Sequence, residues 1–297
     1  MPVLVDPFYL VKLSSSLDQS TSVEAQLTAE LSSGLRVTSL SSDPVAVEQS
    51  TLLNAAISSQ DTYVQVASDE SSRLQATHSA LSEVVTQLTS AVQLAAQGSN
   101  GTQSVANQKA TLVLLTGIRD SILSLANTSY AGTYLFAGSQ GTTTPFSINY
   151  VPVPAITVYA GDAVVQSVVT PTGQAIQTNL PGSSVFTPVL DTLNQLISDF
   201  SATNVSAAVA ADSASVSAAL GVVTDQRAVI DSSLSRLQAT STYVQTQTVN
   251  GTVAQSVLVS ANFADVATQL SASKVQSQAL LSVIAALGKT DLFDYTR

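Results

Sequence analysis

The spacing of apolar positions divides the chain into two helical arms around a middle of different character. Stepping alternately by three and four from Val64 gives Val64, Ala67, Ser71, Leu74, His78, Leu81, Val85, Leu88, Val92 and Ala95. This heptad seam has two polar members, Ser71 and His78, and predicts a long helix with one apolar face. "GSNGT" (98–102) breaks it with an Asn-Gly pair suited to a turn, and a second run follows through Val105, Leu112, Leu115, Ile118, Ile122 and Leu125. The two runs read as an antiparallel helical hairpin. In the far arm Val223, Ile230, Leu234, Leu237 and Val244 line one seam, and "VNGT" (249–252) interrupts it. From Val253 to Leu287 there is no Gly or Pro, and Val259, Phe263, Val266, Leu270, Leu280, Ile284 and Leu287 keep helical spacing. The first segment, Phe8 to Ser33, carries Leu10, Leu13, Leu17, Leu27 and Leu31 on one side.

Between the arms the period changes. Six of the nine prolines lie between Pro145 and Pro188, and Asp162 is the only charged residue from Tyr130 to Leu190. The runs "FSINYV", "AITVYA", "AVVQSVV" and "AIQTNL" are rich in β-branched and aromatic residues and are separated by "GD", "PTG" and "PGSS". They predict a small β-rich insertion, after which "PVLDTLNQLISDF" (188–200) returns to helix. The expected fold is therefore mainly α: long coiled-coil helices from both chain ends form a bundle, with a small β-rich outer domain inserted. The expected division is 1–43 with 251–297 as a terminal coiled-coil domain, 44–130 with 188–250 as a helical bundle, and 131–187 as the outer domain.

The stretch "LSSGLRVTSLSSDPVA" (31–46) predicts a joint. Gly34 suits the C-terminal cap of the first helix, and Asp43-Pro44 is a start signal for the next, with Asp capping and Pro at the first helical position. Asn250-Gly251 is the expected counterpart on the returning arm. The terminal helices flanking these joints each have one apolar seam and little else to bury it against. Isolated helices of that length are marginal in water, so the pattern points to a polymer subunit whose ends are completed by neighbours.

Composition narrows the function classes. Charged residues are 10% of the chain, far below the roughly 25% usual in soluble proteins, and the net charge is −10. A weakly charged Ser/Thr/Gln/Ala surface suits protein contact, whereas nucleic-acid binding needs clustered cations. There is no cysteine, which excludes disulfides and thiolate chemistry. No apolar run approaches the roughly 20 residues that span a bilayer, and "MPVLVDPFYLVKL" lacks the form of a cleaved signal peptide.

Three segments carry a family resemblance. "LSSGLRVTSLSSDPVAVEQ" (31–49), "LANTSYAGTYLFAGSQGTTTPF" (125–146) and "ALGKTDLFDYTR" (286–297) resemble the flagellin superfamily. The Asp-Pro-Val-Ala continuation and the Leu-Phe-Asp-Tyr ending are more similar to its hook-associated protein 3 family of hook–filament junction proteins. That resemblance implies an extracellular structural protein of the bacterial flagellum, exported by the flagellar type III apparatus without a cleaved signal peptide. It implies no enzymatic activity and no cofactor. It implies as partners further copies of the chain in a ring, the hook-side junction protein (hook-associated protein 1), flagellin and an export chaperone.

The residues expected at subunit interfaces are Leu10, Leu13, Leu17, Leu27, Leu31, Arg36, Phe263, Leu270, Leu280, Ile284, Leu287, Leu292 and Phe293. Arg36, in the joint, is expected to pair with a carboxylate across subunits. His78 is the lone histidine, and its place on the seam makes a hydrogen-bonded register-setting role far more common than a catalytic one. Glu24 also falls on its helix's seam, as a rim residue or a register-setting contact. Asp291 and Asp294 are close in sequence but at a chain end, which rarely supplies the rigid cleft a catalytic carboxylate pair needs. Two alternatives stay open at this point: a short flagellin forming the filament itself, and a secreted coiled-coil effector or adhesin with a β-rich binding module at 131–187.

Overall fold

The computed structural model of the chain describes residues 7–37, 43–99, 104–202 and 205–294. Among them are six α-helices and six short strands. The helices are α1 (Pro7–Ser33), α2 (Pro44–Ser99), α3 (Val105–Ala126), α4 (Phe186–Phe200), α5 (Val205–Val259) and α6 (Phe263–Asp294). The strands, all between α3 and α4, are β1 (Ser129–Tyr130), β2 (Thr133–Tyr134), β3 (Phe146–Asn149), β4 (Ile156–Tyr159), β5 (Ser167–Val169) and β6 (Ala175–Gln177). The expected mainly α fold with a β-rich insertion is the one observed. The Asn100-Gly101 pair of the turn expected within 98–102 lies outside the described residues.

The chain divides into two compact units, 1–59 with 247–297 and 60–246. The larger unit holds the main core. Two rows of residues spaced by seven run through it: Ala67, Leu74, Leu81, Leu88 and Ala95 on α2, and Val209, Val216, Val223, Ile230, Leu237 and Val244 on α5, all buried. The other half of the seam expected on α2 is displaced. Val64, Ser71, His78, Val85 and Val92 are partly exposed, while Tyr63, Thr77, Val84 and Ala91, each beside one of them, and Gly98 further along are buried. Thr77 is admitted because its hydroxyl donates to the Arg73 carbonyl at 3.0 Å. Gly98 is admitted because it leaves room for Phe200 and Val209. Neither counts as hydrophobic, so apolar spacing does not mark them, while Val64, Val85 and Val92 pack against the core from its edge. His78 accordingly sits at the rim, its Nε2 3.2 Å from Asp231 Oδ1 on α5.

The strands form three two-stranded antiparallel pairs, β1–β2, β3–β4 and β5–β6. Ala131 and Gly132 turn β1 into β2 with φ of 48° and 82°, the two positive values that match the twist of a tight hairpin. Asparagine side chains extend two of the pairs. Asn127 accepts from the Phe146 N–H and donates to the Phe146 carbonyl, both at 2.9 Å. Asn179 accepts from the Gln166 N–H at 2.7 Å and donates to the Val164 carbonyl at 2.9 Å. Each amide does what a neighbouring strand's peptide group would do. Beneath them Phe136, Phe146 and Phe186 form a buried cluster, with Phe136 and Phe186 edge-to-face at 4.6 Å between ring centres. Arg73 Nη1 donates to Gln166 Oε1 at 3.1 Å, and the Thr157 N–H to Asp191 Oδ1 at 3.0 Å. The β-rich segment is thus tied to α2 and α4 by side chains from both.

Gly182 opens a 3-10 turn, Gly182–Ser184, that leads into α4. A Cβ there would stand 2.6 Å from the Phe146 ring and 2.7 Å from the Phe136 carbonyl oxygen. One of these neighbours is backbone and the other is held in a packed cluster, so neither yields cheaply. Gly182→Ala should destabilise the protein by about 2 kcal/mol, a loss that chemical denaturation with an unchanged m-value would register.

A candidate assembly surface on the terminal helices

The smaller unit is built on the joint. Gly34 takes φ of +71°, which ends α1, and its N–H donates to the Glu30 carbonyl at 2.9 Å. The chain then pairs with the far arm: the Arg36 N–H donates to the Val259 carbonyl at 2.8 Å, and the Ala261 N–H to the Gly34 carbonyl at 2.9 Å. Asp43 caps α2 as expected, its Oδ1 accepting from the Ala46 N–H at 3.0 Å. That hydrogen bond, and then the one from Arg36, hold the Asp43 carboxyl below its ordinary value.

The break on the returning arm is not at Asn250-Gly251. α5 runs unbroken to Val259, and a Cβ on Gly251 would lie 3.2 Å from Ile57 Cγ1 on α2. The glycine permits close helix approach there and does not end the helix. The break comes at Ser260–Asn262, where Asn262 Oδ1 accepts from the Ala264 N–H at 3.2 Å and starts α6. An Asn ahead of "FAD" is an ordinary capping signal, but it was hidden beside the stronger-looking Asn-Gly.

Helices α1 and α6 pack antiparallel, and the interface between them is thin. Leu27, Ala261 and Val266 are its buried apolar residues, with Leu31 and Leu270 partly buried against them. One level along, the contact is polar: Ser20 Oγ lies 2.9 Å from Ser277 Oγ and 3.3 Å from Ser273 Oγ, and Ser277 donates to Glu24. Glu24, taken as a seam residue, is thus bonded across the helix pair. Glu30 is buried and accepts from Gln26 Nε2 at 3.1 Å.

The expected interface residues fall into three groups. Leu13, Leu17, Leu27, Leu31, Leu270, Leu280 and Ile284 are buried or half-buried on α1 and α6. Phe263 and Arg36 are exposed. The side chains of Leu10, Leu287, Leu292 and Phe293 lie outside the described residues. Arg36 is engaged within its own chain: it donates from Nη1 to Asp43 Oδ2 at 3.1 Å and from Nη2 to the Leu258 carbonyl at 2.9 Å.

Apolar side chains that seam counting passed over lie open on the same unit. Phe8, Val11, Val275 and Leu281 are 78%, 66%, 66% and 52% exposed on α1 and α6. Val249, Val253 and Val257, spaced by four on α5, are exposed as a stripe, as are Val45 and Leu52 on α2. No charged residue occurs between Arg236 and Asp265. Such a surface is cheap to desolvate and has much apolar area left to bury. Among the described residues no cluster of three metal-ligating side chains occurs.

The geometry is that of a helical pair with a small buried apolar contact and several large apolar side chains exposed. Residues 10–141 match the model of the bacterial flagellin N-terminal helical region. Over that stretch, fewer than half of its residues, the chain is similar to flagellins. Two of the three resembling segments lie wholly or largely inside that match. The chain is 34% identical over 119 residues to flagellar hook-associated protein 3 of Escherichia coli strain K12, a match covering 40% of this chain and 38% of that one. It thus spans well under half the length of the curated relatives it matches. In fold it is similar to a structure from Vibrio parahaemolyticus assigned to a flagellar hook-associated protein, with a TM-score of 0.65 and 21% identity over 73% of this chain and 99% of that one. It is also similar to a flagellar junction protein from Legionella pneumophila, with a TM-score of 0.59 and 15% identity over 72% and 100%.

Proposed function

We propose that the chain is a structural subunit of the bacterial flagellum, sited between hook and filament, that assembles through its terminal helices. The observation that supports this most is the imbalance of the α1–α6 pair. Three buried apolar residues hold it together, while Phe8, Val11, Val275 and Leu281 remain open. A helix pair with so small a core is marginal alone, and neighbouring copies that cover the open face supply the missing burial. In this reading 1–43 and 251–297 form the inner layer of a ring, 44–130 and 188–250 the layer around it, and 131–187 the outer surface. The ring's other contacts are hook-associated protein 1 on one side and flagellin on the other, and an export chaperone covers the apolar ends before assembly. The names carried by the similar proteins support the junction in preference to the filament itself.

Deleting residues 280–297 should leave unit 60–246 folded but abolish attachment of filament to hook in cells. Normal filaments on cells whose own copy has been replaced by the truncated chain would overturn the proposal. Electron microscopy with antibody raised against residues 140–180 should label the distal end of the hook alone. Label along the whole filament would instead make this chain a filament flagellin.

A further inference from the structure

Asn250-Gly251 has the composition of a turn, yet both residues lie inside the unbroken helix α5. Glycine is a poor helix former, and the packing supplies the reason for it here. A Cβ on Gly251 would stand 3.2 Å from Cγ1 and 3.5 Å from Cδ1 of Ile57 on α2, so any side chain at this position presses on Ile57. The contact therefore favours glycine at 251, and the residue ahead of it, Asn250, is exposed. A reactive pair has been placed where the helix needs a small residue.

The chemistry follows from the missing Cβ. With glycine next in the chain, nothing obstructs the approach of its peptide nitrogen to the asparagine side chain. The Gly251 nitrogen attacks Asn250 Cγ, the peptide proton and the side-chain NH₂ leave together as ammonia, and a five-membered succinimide closes. Water then opens the ring at either carbonyl. One opening gives aspartate. The other gives isoaspartate, in which the main chain runs through the former side-chain carbonyl and gains a methylene. The sum is an amide and water converted to a carboxylate and ammonia, with no oxidant and no enzyme. In α5 this is blocked, because the Gly251 N–H points along the helix axis at the carbonyl four residues back and not at Asn250 Cγ.

We propose that Asn250 is a deamidation site gated by the fold, intact while α5 is formed and converted while the chain is unfolded. Isoaspartate at 250 does not fit a helix, since the added methylene carries every later residue out of hydrogen-bond register with those before it. A converted chain therefore loses α5 at its contact with Ile57, and the segment through Val259 no longer continues the helix. Either product also puts a carboxylate into the stretch between Arg236 and Asp265, which has no charge. None of this needs a second copy of the chain, so the inference stands apart from the polymeric reading.

The test is mass spectrometry of the peptide containing Asn250, after the full-length chain has stood in mildly alkaline buffer either folded or in guanidinium chloride. Asn100-Gly101, the other Asn-Gly pair in the sequence, is the reference in denaturant. Unfolded, Asn250 should convert at a rate like that of Asn100. Folded, it should convert at least ~10-fold more slowly, since only the fraction of chains with α5 open can react. Asn250 staying intact in denaturant while Asn100 converts overturns the proposal, as does equal conversion of Asn250 in the two states. After return to native buffer, the converted parent should lose amide protection over residues 247–259. Asn250→Gln, whose longer side chain closes a ring far more slowly, should regain that protection after the same incubation. A converted parent that regains it as fully as the variant overturns the proposal too, because α5 would then tolerate the product.

Discussion

Replacing Phe186 with alanine lowers the stability of unit 60–246 by about 4 kcal/mol, the largest single-residue loss expected in the chain. Phe186 is fully buried at the start of α4, edge-to-face with Phe136 at 4.6 Å and tilted against Phe146 at 5.6 Å. Truncation removes its apolar surface, leaves a cavity among rings that cannot collapse, and forfeits the aromatic geometry itself. For a unit of this size the melting temperature should fall by roughly 10 °C. Phe263→Ala is the informative contrast. Phe263 is 56% exposed in the single chain, so its loss should leave dilute melting within about 2 °C of the parent. If Phe263 lies in the assembly surface, the same change weakens polymerisation. Equal losses for the two variants in the dilute state would show that the terminal helices of the free chain are covered by something other than the packing seen here.

The second large effect is a pH dependence with one main source. Asp212 occupies the second row of the α5 core, three residues beyond Val209 and seven before Ala219, and is 8% exposed with Oδ2 unpartnered. Burial first, and then the neighbouring Asp199 carboxyl, push its pKa up to about 6 from 3.8. The folded chain therefore keeps a proton that the unfolded chain releases. Stability is greatest below the unfolded value near 4, declines as pH rises toward 6, and is flat above that. The cost of deprotonation at neutral pH is roughly 2–3 kcal/mol. Asp212→Asn keeps a donor toward Asp199 at every pH. The variant should gain that amount at pH 7.5 and match the parent near pH 4. Burial raises the Glu70 carboxyl too, whereas hydrogen bonds lower those of Asp43 and Asp162. The difference between variant and parent across pH 4–8, and not either profile alone, is what isolates Asp212. A difference that stays constant over that range would show that Asp212 is not protonated in the fold.

Much of this architecture is legible in the order of residues. The β-branched runs separated by "GD" and "PTG" became β3 to β6 because alternating, short, turn-bounded segments have few other ways to satisfy their backbone. Asp43-Pro44 and Gly34 marked a joint because capping and left-handed φ are local chemistry that needs no distant partner. The seam of α5 was legible because its row of Val and Ile is both apolar and spaced by seven. Where reading failed, the deciding residue was polar or small. Thr77, Gly98 and Asp212 are in the core, and only the packing of other helices against them put them there. At Gly251 the flexible residue is a point of close contact with Ile57, a role that spacing cannot distinguish from a break. Of the candidate interface, the sequence marked α1 and α6 as carriers of apolar surface. Which face of each is covered within the chain, and which is left open, depended on the pairing of Ser20 with Ser273 and Ser277 across more than two hundred residues.

The residues in order therefore determined what each segment is: helix, strand, cap or joint, together with a surface low in charge and suited to protein contact. The tertiary structure decided which side of each helix faces inward, that Arg36 bonds within its own chain, and that Asp212 is enclosed without full hydrogen bonding. The reason is range. Caps, turns and periodicity act over a few residues, whereas burial is a property of everything that happens to lie within a few ångströms.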